Sequence, residues 1–356
     1  MTQAGPVRVL VVGDSYMPTG VFTAALAGLG DLVCVTELQI EGTTAAPPRT
    51  DSERALREYV GNPAHLVAAV AGHDALLVHG APVSAEVLDA APLRLVCCAR
   101  GGPVNVDVAA ASRRGIPVTN APGRNAQAVA ELTIAFALML VRSVPYSARY
   151  LVDGGQLAEN TYEGSEFIGA EAASMTLGLV GLGNVGREVA ARGGALGFTM
   201  LGYDPVRLAT VPPGVTMVSL DDLLSRSGLI SLHARATPDN RHLLGTAAFA
   251  RMPRGAFFIN TARESLVDED ALAAALASGT LAGAALDVVE RRPAGDRHPL
   301  LDLPNVIITP HIGGATRETL QRGAKMAASA VARLASGEIP DHLVNPEVLA
   351  RKEVAP

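Results

Sequence analysis

Residues 176–190 read Thr176-Leu-Gly-Leu-Val-Gly-Leu-Gly-Asn-Val-Gly-Arg-Glu-Val-Ala190. The first five residues are an apolar run that predicts a buried strand, and an Ala-rich helical pattern follows the glycines. Gly181 permits a tight turn, Gly183 lets the backbone approach a pyrophosphate, and Gly186 lets the helix pack close to the strand. The free N–H groups of a helix N-terminus are donors for phosphate. The stretch therefore predicts the phosphate-binding turn of a dinucleotide site.

The next predicted strand, at residues 199–204, ends in the carboxylate of Asp204, about 20 residues after the glycine turn. An acid at this position accepts hydrogen bonds from both ribose hydroxyls of NAD, whereas the 2′-phosphate of NADP would meet its negative charge. Arg207 follows closely and would soften that repulsion. An alternative interpretation makes Asp204 a strand-end turn residue before Pro205. The pattern predicts NAD as the cofactor.

Composition limits the classes of protein to consider. A chain of 356 residues is too long for one typical core, so we expect two domains. The hydrophobic content of 49% is typical of packed domains, and the net charge of −6 predicts no nucleic-acid partner. No run has the form of a signal peptide or a membrane span, so we expect a cytoplasmic protein with no membrane partner. Cys34, Cys97 and Cys98 lie in apolar, strand-like runs, which indicates buried free thiols.

Several chemistries are excluded by residue type. Lys325 and Lys352 are the only lysines and neither follows a glycine, so the sequence has no P-loop. No tyrosine is followed by a lysine four residues later, which excludes the Tyr-x-x-x-Lys dehydrogenases. No Cys/His cluster has zinc spacing, so we expect no metal, and no Gly-x-Ser-x-Gly elbow is present. A dehydrogenase with this sequence would transfer protons through His, Asp, Glu or Arg.

Strand patterns alternate with helical patterns in both halves of the chain, which predicts parallel sheets with helices on both faces. Strands are expected at residues 7–12, 32–36, 75–78, 94–99, 176–180, 199–204, 229–233, 256–260, 283–288 and 306–309. Long helices are expected at residues 125–142 and about 316–334, and the stretch 143–173 is expected to be an irregular arm or an oligomer contact. Ligand loops of the first half should follow its strands, at residues 79–82 and 100–103.

Three polar side chains follow buried strands of the second half, namely Arg263, Asp287 and His311. Because the carboxyl ends of parallel strands converge on one crevice, we expect the three to face the same ligand. Taken singly, they also fit a solvated arginine, a capping aspartate and a core histidine. Together they suit hydride transfer to a 2-oxo acid, since a guanidinium binds a planar carboxylate through two N–H bonds and an imidazole exchanges a proton with the carbonyl oxygen.

Several motifs resemble the D-isomer-specific 2-hydroxyacid dehydrogenases, the phosphoglycerate dehydrogenase-like family. They are Asn260-Thr-Ala-Arg263 with Val267-Asp268, Ala285-Leu-Asp287-Val288, Asn305-Val-Ile-Ile-Thr-Pro-His311, Arg114-Gly-Ile-Pro-Val-Thr-Asn-Ala-Pro122 and Ala128-Val-Ala-Glu131. The resemblance covers nearly the whole chain. It implies an α/β fold of two Rossmann-like, doubly wound parallel-sheet domains, with a nucleotide domain at residues 124–315 inserted into a flavodoxin-like substrate domain at residues 1–123 plus 316–356. It also implies an NAD-dependent enzyme that binds a small anionic substrate and forms a homodimer or a larger homo-oligomer.

The resemblance further implies roles for single residues. Arg263 would bind substrate, His311 would be the acid/base, and Gly101 and Gly102, beside Arg100, would offer N–H groups to the substrate carboxylate. The expected cofactor contacts are Gly181, Gly183, Asn184, Val185, Gly186, Asp204, Pro205, His233, Ala234, Thr261, Ala262, Asp287, His311, Gly313 and Gly314. We also expect hinge closure that brings residues 100–102 over the nicotinamide.

One departure from the family concerns the acid/base. The family usually has a glutamate that pairs with the catalytic histidine, and Arg292 occupies that position here. A cation there would disfavour the protonated form of His311, and so favour oxidation of an alcohol. With Arg263 and Arg100, it would also suit a substrate with more than one negative charge, such as a phosphorylated sugar acid, a phosphonate or a dicarboxylate. Alternatively, Arg292 turns outward and another acid, such as Glu290 or Glu318, serves the histidine.

The second departure lies in the stretch 100–107, which is shorter than the common family form and contains Pro103. It leaves the identity of the substrate open. Two other classes of function remain, a catalytically silent NAD(H)-binding regulatory protein and an enzyme that oxidises a small anion such as formate or phosphite. The presence of both Arg263 and His311 favours an active 2-hydroxyacid dehydrogenase.

Overall fold

The structure is a computed structural model, and it describes residues 5–155, 163–290 and 296–352. The chain divides into two units. The first, which we call the terminal domain, comprises Met1–Arg124 and Ala315–Pro356, and the second, the inserted domain, comprises Asn125–Gly314. Each boundary lies one residue from the position expected from the sequence.

Among the described residues, the terminal domain holds a five-stranded sheet in the order β2-β1-β3-β4-β5. Its strands are β1 (Val7–Gly13), β2 (Val33–Gln39), β3 (Ala75–Val78), β4 (Leu95–Cys98) and β5 (Val118–Thr119). Every neighbouring pair is parallel. The order 2-1-3-4-5 is that of flavodoxin-like sheets, as predicted.

In the described part of the inserted domain, seven strands form one parallel sheet. They are β6 (Thr176–Val180), β7 (Thr199–Tyr203), β8 (Val215–Met217), β9 (Leu229–Leu232), β10 (Ala256–Asn260), β11 (Leu281–Leu286) and β12 (Val306–Ile308). The order β12-β11-β10-β9-β6-β7-β8 is the Rossmann order with one further strand beside β11. The order reverses between β6 and β9, and dinucleotides bind outside the carboxyl ends of the strands at such a point.

Helices connect the strands. They are α1 (Thr19–Leu26), α2 (Asp51–Ala55), α3 (Pro63–Val70), α4 (Ala85–Asp89), α5 (Val108–Arg113), α6 (Ala126–Val141), α7 (Val144–Val152), α8 (Asn184–Ala195), α9 (Leu220–Arg226), α10 (Thr246–Arg251), α11 (Glu269–Ala277), α12 (Arg317–Ala335) and α13 (Glu347–Lys352). Within the described ranges, no single helix is long and apolar enough to cross a membrane, and α6 with α7 meets that criterion only as a sharply bent pair.

Alternating residues of the central strands fill a core on each face of the sheet. In β1, Val9 belongs to the core beneath α1 and α12, whereas Leu10 belongs to the core beneath α3, α4 and α5. Cys97 and Cys98 in β4 follow the same alternation and are buried on opposite faces, as predicted. A side-chain period of two, with both faces apolar, is what a strand covered on both sides requires.

Exposed edge elements account for the main differences from the sequence-based expectation. The prediction that Cys34 is buried is wrong, because the residue lies on the edge strand β2, where it is exposed. The edge strand β8 has only three residues, none of them buried, and its sequence carries no detectable period. Helix α7 occupies part of the stretch expected to be irregular, and none of its residues is buried.

Candidate active site and cofactor site

The structure places every predicted cofactor residue after the carboxyl end of a strand in the inserted domain. Gly181, Gly183, Asn184, Val185 and Gly186 follow β6, Asp204 and Pro205 follow β7, His233 and Ala234 follow β9, Thr261 and Ala262 follow β10, Asp287 follows β11, and His311, Gly313 and Gly314 follow β12. Because the seven strands are parallel, these positions share one edge of one sheet.

The three glycines of the turn differ in what surrounds them. Gly181 has a φ of +98°, and a Cβ at this position would lie 2.6 Å from the backbone nitrogen of Ala234. A Cβ at Gly186 would lie 2.1 Å from the carbonyl oxygen of Gly181, so α8 packs directly on the turn. A Cβ at Gly183 would have no atom within 4 Å. Two glycines thus allow internal close packing, and the third faces open space.

The start of α8 offers unpaired donors. Gly183 is the N-cap residue and provides no side-chain acceptor, so the first N–H groups of this 12-residue helix have no intrahelical partner. Gly183 and Asn184 are exposed. Free N–H groups and the positive end of the helix dipole favour an anion here. The turn therefore fits the pyrophosphate of a dinucleotide.

Asp204 is oriented by the glycine turn itself. Its Oδ2 accepts the backbone N–H of Leu182 at 2.8 Å, and its Oδ1 accepts the N–H of Val206 at 2.9 Å. The bond to Val206 is the contact expected of a strand-end turn residue, which was the alternative role for Asp204. Asp204 therefore stabilises this turn and also contacts the phosphate-binding loop through Leu182. Each carboxylate oxygen can accept a further hydrogen bond, and the residue is partly exposed. The carboxylate is thus available to ribose hydroxyls.

His233 is a neutral histidine after β9. Its Nε2 lies 2.9 Å from Ser231 Oγ, and Nδ1 is buried without a hydrogen-bond partner among the described residues. Burial lowers the pKa of His233 to about 3. The ring therefore adds no charge to the sheet edge at physiological pH, and its expected contact with the cofactor stays a prediction.

The loop after β10 is held by Asn260, a residue that is 1% exposed. Its Oδ1 accepts the N–H of Ala262 at 2.9 Å, and its Nδ2 donates to the carbonyl oxygen of Arg263 at 3.0 Å. Thr261 Oγ1 lies 3.0 Å from Thr133 Oγ1 on α6. These bonds hold the backbone from which the half-buried Arg263 side chain extends. In the sequence, Asn260 appears only as the first residue of the motif Asn260–Arg263, and its positioning role is not apparent from that motif.

Asp287 anchors the loop that carries His311. The carboxylate is 2% exposed, and its Oδ1 accepts Thr309 Oγ1 at 2.6 Å and the N–H of Ile312 at 2.8 Å. Its Oδ2 accepts the N–H of Gly313 at 2.7 Å, and a Cβ at Gly313 would lie 2.8 Å from that oxygen. Asp287 therefore organises the loop after β12, a role that its position in the sequence does not indicate.

His311 is exposed and has a left-handed backbone with a φ of +57°. Its N–H lies within hydrogen-bond distance of the carbonyl oxygens of Asp287 and Thr309, at 3.0 and 2.9 Å. Such a conformation is costly for a residue other than glycine and persists only where neighbouring contacts impose it. The loop thus holds the imidazole at the sheet edge, in the row formed by β10, β11 and β12.

The acid that would pair with His311 is not found in the described part of the inserted domain, where no carboxylate oxygen lies within 4 Å of the imidazole nitrogens. Glu290 Oε1 lies 3.8 Å from Arg241 Nη2, and Glu318 is exposed in the first turn of α12 in the terminal domain. Arg292 lies outside the described residues.

In the terminal domain, the loop after β4 carries the expected substrate donors. Arg100 Nη1 donates to the carbonyl oxygen of Glu58 at 2.7 Å, and Nη2 pairs with the Glu58 carboxylate. Asn120 Nδ2 donates to the carbonyl oxygen of Gly101 at 2.7 Å. Gly101 and Gly102 are exposed, and their N–H groups donate to no acceptor within the residues that the structure describes. They are suitable donors for a carboxylate, whereas the Arg100 side chain is already paired.

These features define a class of protein. A Rossmann-ordered domain inserted into a flavodoxin-like domain, with a phosphate-binding turn and an arginine and a histidine at strand ends, is the architecture of a two-domain, dinucleotide-binding dehydrogenase. Residues 134–313 match the family described as "D-isomer specific 2-hydroxyacid dehydrogenase, NAD binding domain", and the chain belongs to this family. The inserted domain is its NAD-binding domain, in agreement with the predicted cofactor.

Named relatives place the chain within the family. The D-3-phosphoglycerate dehydrogenase of Mycobacterium tuberculosis (strain ATCC 25618 / H37Rv) is 41% identical over 298 residues, which cover 82% of this chain and 55% of that protein. The glyoxylate reductase of Korarchaeum cryptofilum is 39% identical over 271 residues, which cover 75% of this chain and 81% of the reductase. The crystal structure of the TT0316 protein from Thermus thermophilus superposes with a TM-score of 0.78 at 34% identity, over 95% of this chain and 100% of that one. The chain spans about half the length of the phosphoglycerate dehydrogenases that it matches.

Proposed function

We propose that the protein is an NAD-dependent oxidoreductase that transfers a hydride between the nicotinamide and C2 of a D-2-hydroxy acid or the corresponding 2-oxo acid. The observation that carries this proposal is the placement of Arg263 and His311 after β10 and β12, the two strands that flank β11 in one parallel sheet. Membership of the family, with relatives named as a phosphoglycerate dehydrogenase and a glyoxylate reductase, favours this activity over a silent NAD-binding protein.

The inserted domain has the groups needed to hold NAD. The N–H groups at the start of α8 suit the pyrophosphate, and the open space at Gly183 admits it. Asp204 suits the ribose hydroxyls. NAD supplies the acceptor for the hydride when a hydroxy acid is oxidised, and NADH supplies the donor when a 2-oxo acid is reduced.

Arg263 and His311 divide the remaining work. Arg263 binds the substrate carboxylate through two N–H bonds and so orients the adjacent C2. In reduction, protonated His311 donates its proton to the C2 oxygen as the hydride arrives at the carbon. In oxidation, neutral His311 removes the hydroxyl proton as the hydride leaves. We assign the Gly101 and Gly102 N–H groups to the substrate carboxylate as well.

The substrate is a small anion that carries a 2-oxo or 2-hydroxy acid group. The relatives suggest two candidates of different charge, glyoxylate and the oxo acid formed from 3-phosphoglycerate. We propose separately that the substrate has a second negative charge. This proposal rests only on the presence of Arg292 in the sequence.

Initial rates of NADH oxidation with glyoxylate, pyruvate, oxaloacetate and 3-phosphohydroxypyruvate test the activity. His311→Gln should lower kcat by at least about a hundredfold, because general acid–base catalysis contributes roughly 10²–10⁴-fold. His242→Gln is the matched control, since His242 is also exposed and also left-handed, with a φ of +52°. A protein that binds NADH but turns over none of these acids would be a silent NAD-binding protein, and the proposal would be wrong.

We further propose that the protein forms a homodimer or a larger homo-oligomer through the face that carries α7. Apolar side chains are exposed on this helix and after it, including Val152 at 76% and Ile168 at 82%, and exposed apolar patches mark association surfaces. Light scattering after size exclusion should give more than one chain per particle. Ile168→Asp should shift the protein toward the monomer, whereas Ile339→Asp, at a residue that is 57% exposed in the terminal domain, should not. A wild-type monomer would contradict the proposal.

A further inference from the structure

A second cluster of polar side chains is buried in the terminal domain. Asp14 follows β1, His79 follows β3 and Arg124 lies beyond β5, and the three residues are 2%, 8% and 7% exposed. His79 Nδ1 lies 3.1 Å from Asp14 Oδ2, and His79 Nε2 lies 3.2 Å from Arg124 Nη2. The cluster sits at the carboxyl edge of the flavodoxin-like sheet, the edge at which such sheets bind ligands.

Asp14 has no capacity left for a further partner. Its Oδ1 accepts the N–H groups of Tyr16 and Met17, at 2.9 and 2.8 Å. Its Oδ2 accepts the N–H of Gly80 at 2.7 Å and the His79 Nδ1–H. A carboxylate has about four acceptor sites, and all four are filled. Asp14 therefore orients His79 and makes no hydrogen bond to the guanidinium.

His79 acts as a neutral acceptor. A guanidinium only donates hydrogen bonds, so the bond from Arg124 requires a lone pair on Nε2 and places the ring proton on Nδ1, toward Asp14. Burial, as the largest influence, lowers the pKa of His79 although Asp14 opposes it. The ring of Tyr16 stacks on His79 at 4.9 Å and 6°. The imidazole is thus held in one plane and one tautomer.

Arg124 is left with unused donors. Its Nε and Nη1 are buried and have no hydrogen-bond partner among the residues that the structure describes, and no carboxylate oxygen of those residues lies within 4 Å of the guanidinium. The aliphatic part of the Arg124 side chain packs closely against α12, since a Cβ at Gly323 would lie only 3.0 Å from Arg124 Cδ. Asp14 acts on Arg124 electrostatically but forms no ion pair with it, and a buried guanidinium that keeps two unused donors is costly because those donors have lost their hydrogen bonds to water. Burial accordingly lowers the pKa of Arg124.

We propose that Arg124 is the recognition residue of an oxyanion site in the terminal domain, with Asp14 and His79 as its positioning residues. The ligand is a carboxylate or phosphate group, which belongs either to the substrate or to a free small anion. Both planar and tetrahedral oxyanions match the donors of a guanidinium, and charge-assisted hydrogen bonds strengthen where water is excluded. Only the first source rests on the proposed function.

Calorimetric titration of the full chain with inorganic phosphate, and separately with malonate, tests the site. Arg124→Met should weaken binding of at least one anion by about tenfold or more, since a hydrogen bond to a charged group is typically worth that much. Arg113→Met, at an exposed arginine on α5, is the matched control and should bind as wild type does. If Arg124→Met does not fold, as judged by thermal unfolding and NADH binding, Arg124→Lys should show a smaller loss. Equal affinity in wild type and the Arg124 variant, or no binding by either, overturns the proposal.

Two substitutions of His79 test whether it positions Arg124 by accepting its hydrogen bond. His79→Gln offers an amide oxygen to Arg124 and should keep anion affinity within a few-fold, whereas His79→Leu removes the acceptor and should lose it. Equal affinity in both variants would show that His79 does not position Arg124.

Kinetics separate the two sources of the anion. If the ligand is part of the substrate, Arg124→Met raises KM for oxaloacetate and leaves KM for glyoxylate unchanged. If it is a free anion, phosphate changes the wild-type rate, and the variant loses that response. Should wild type turn over no 2-oxo acid while phosphate binding still depends on Arg124, the proposed function fails and the oxyanion site stands.

Discussion

The phosphate-binding turn depends most strongly on Gly181, and Gly181→Ala tests that dependence. Two penalties combine at this position. The φ of +98° is a region in which an alanine is strained, at a cost of about 1–3 kcal/mol. The new Cβ would also lie 2.6 Å from the nitrogen of Ala234 and 2.7 Å from the carbonyl carbon of His233. Backbone does not yield as a flexible side chain does, and overpacking of this kind costs about 1–3 kcal/mol. The expected loss is therefore about 2–6 kcal/mol.

Two other glycines of the inserted domain separate these penalties. Gly194 lies in α8 with no atom within 4 Å of a Cβ, so Gly194→Ala should stabilise the domain by roughly 0.5–1 kcal/mol. Gly214 has a φ of +78° and equally open space, so Gly214→Ala should show the backbone penalty alone. Gly181→Ala adds the steric penalty to the backbone penalty.

Urea unfolding of the inserted domain, followed in the presence and absence of NADH, gives the three free-energy changes. NADH titration by fluorescence gives the affinities. Gly181→Ala should bind NADH at least about tenfold more weakly. Strain of about 1 kcal/mol or more displaces the turn, and a displaced turn misplaces the N–H donors that bind the pyrophosphate. Gly194→Ala and Gly214→Ala should bind it normally. The reasoning is wrong if Gly181→Ala is no less stable than Gly214→Ala, or if it binds NADH as wild type does.

Three further predictions concern charge. Asp204→Asn should reduce the preference for NADH over NADPH by about tenfold in kcat/KM, since it removes the charge that repels a 2′-phosphate; an unchanged preference would exclude Asp204 from cofactor selection. The folded-state pKa of His233, about 3, lies below the unfolded value of about 6.5, so its contribution to stability is complete above pH 6.5 and falls by up to about 1.4 kcal/mol per pH unit as the pH drops toward 3. Urea unfolding at pH 5 and pH 7 should therefore show a smaller difference for His233→Gln than for wild type, and equal differences would refute this assignment. Arg292→Ala should raise KM for oxaloacetate more than KM for glyoxylate, and equal increases would place Arg292 outside the substrate site.

The sheets were predictable where strands are buried on both faces. The strands expected at residues 75–78, 176–180 and 256–260 have the bounds that the structure shows, because their apolar runs end where the chain leaves the core. Edge elements gave weaker signals. Cys34 on β2 is the clearest case. An apolar run in an edge strand has the same composition as a run in a central strand, but fewer neighbouring elements cover its side chains. Burial at an edge depends on the order of strands, which the local sequence does not specify.

The candidate site was predictable in its residue types and less so in its contacts. The positions of Arg263 and His311 at strand ends followed from the alternation of strands and helices. The contacts of His79 with Asp14 and Arg124 could not be predicted in this way, because His79 is separated from these residues by 65 and 45 positions in the sequence. Hydrogen bonds between loops that far apart depend on which strands become neighbours, and a local pattern carries no information about that order.

Hydrogen bonds of Asp287 connect the loops that carry Arg263 and His311. Its N–H donates to the carbonyl oxygen of Asn260 at 2.9 Å, and its own carbonyl oxygen accepts the N–H of His311 at 3.0 Å. Asn260 in turn holds the carbonyl group of Arg263, and the Asp287 carboxylate holds the loop after β12. The backbones that carry the guanidinium and the imidazole are therefore linked through a chain of hydrogen bonds. Those bonds offset the cost of the left-handed conformation at His311, and they hold the backbone of the residue that we propose as the acid/base.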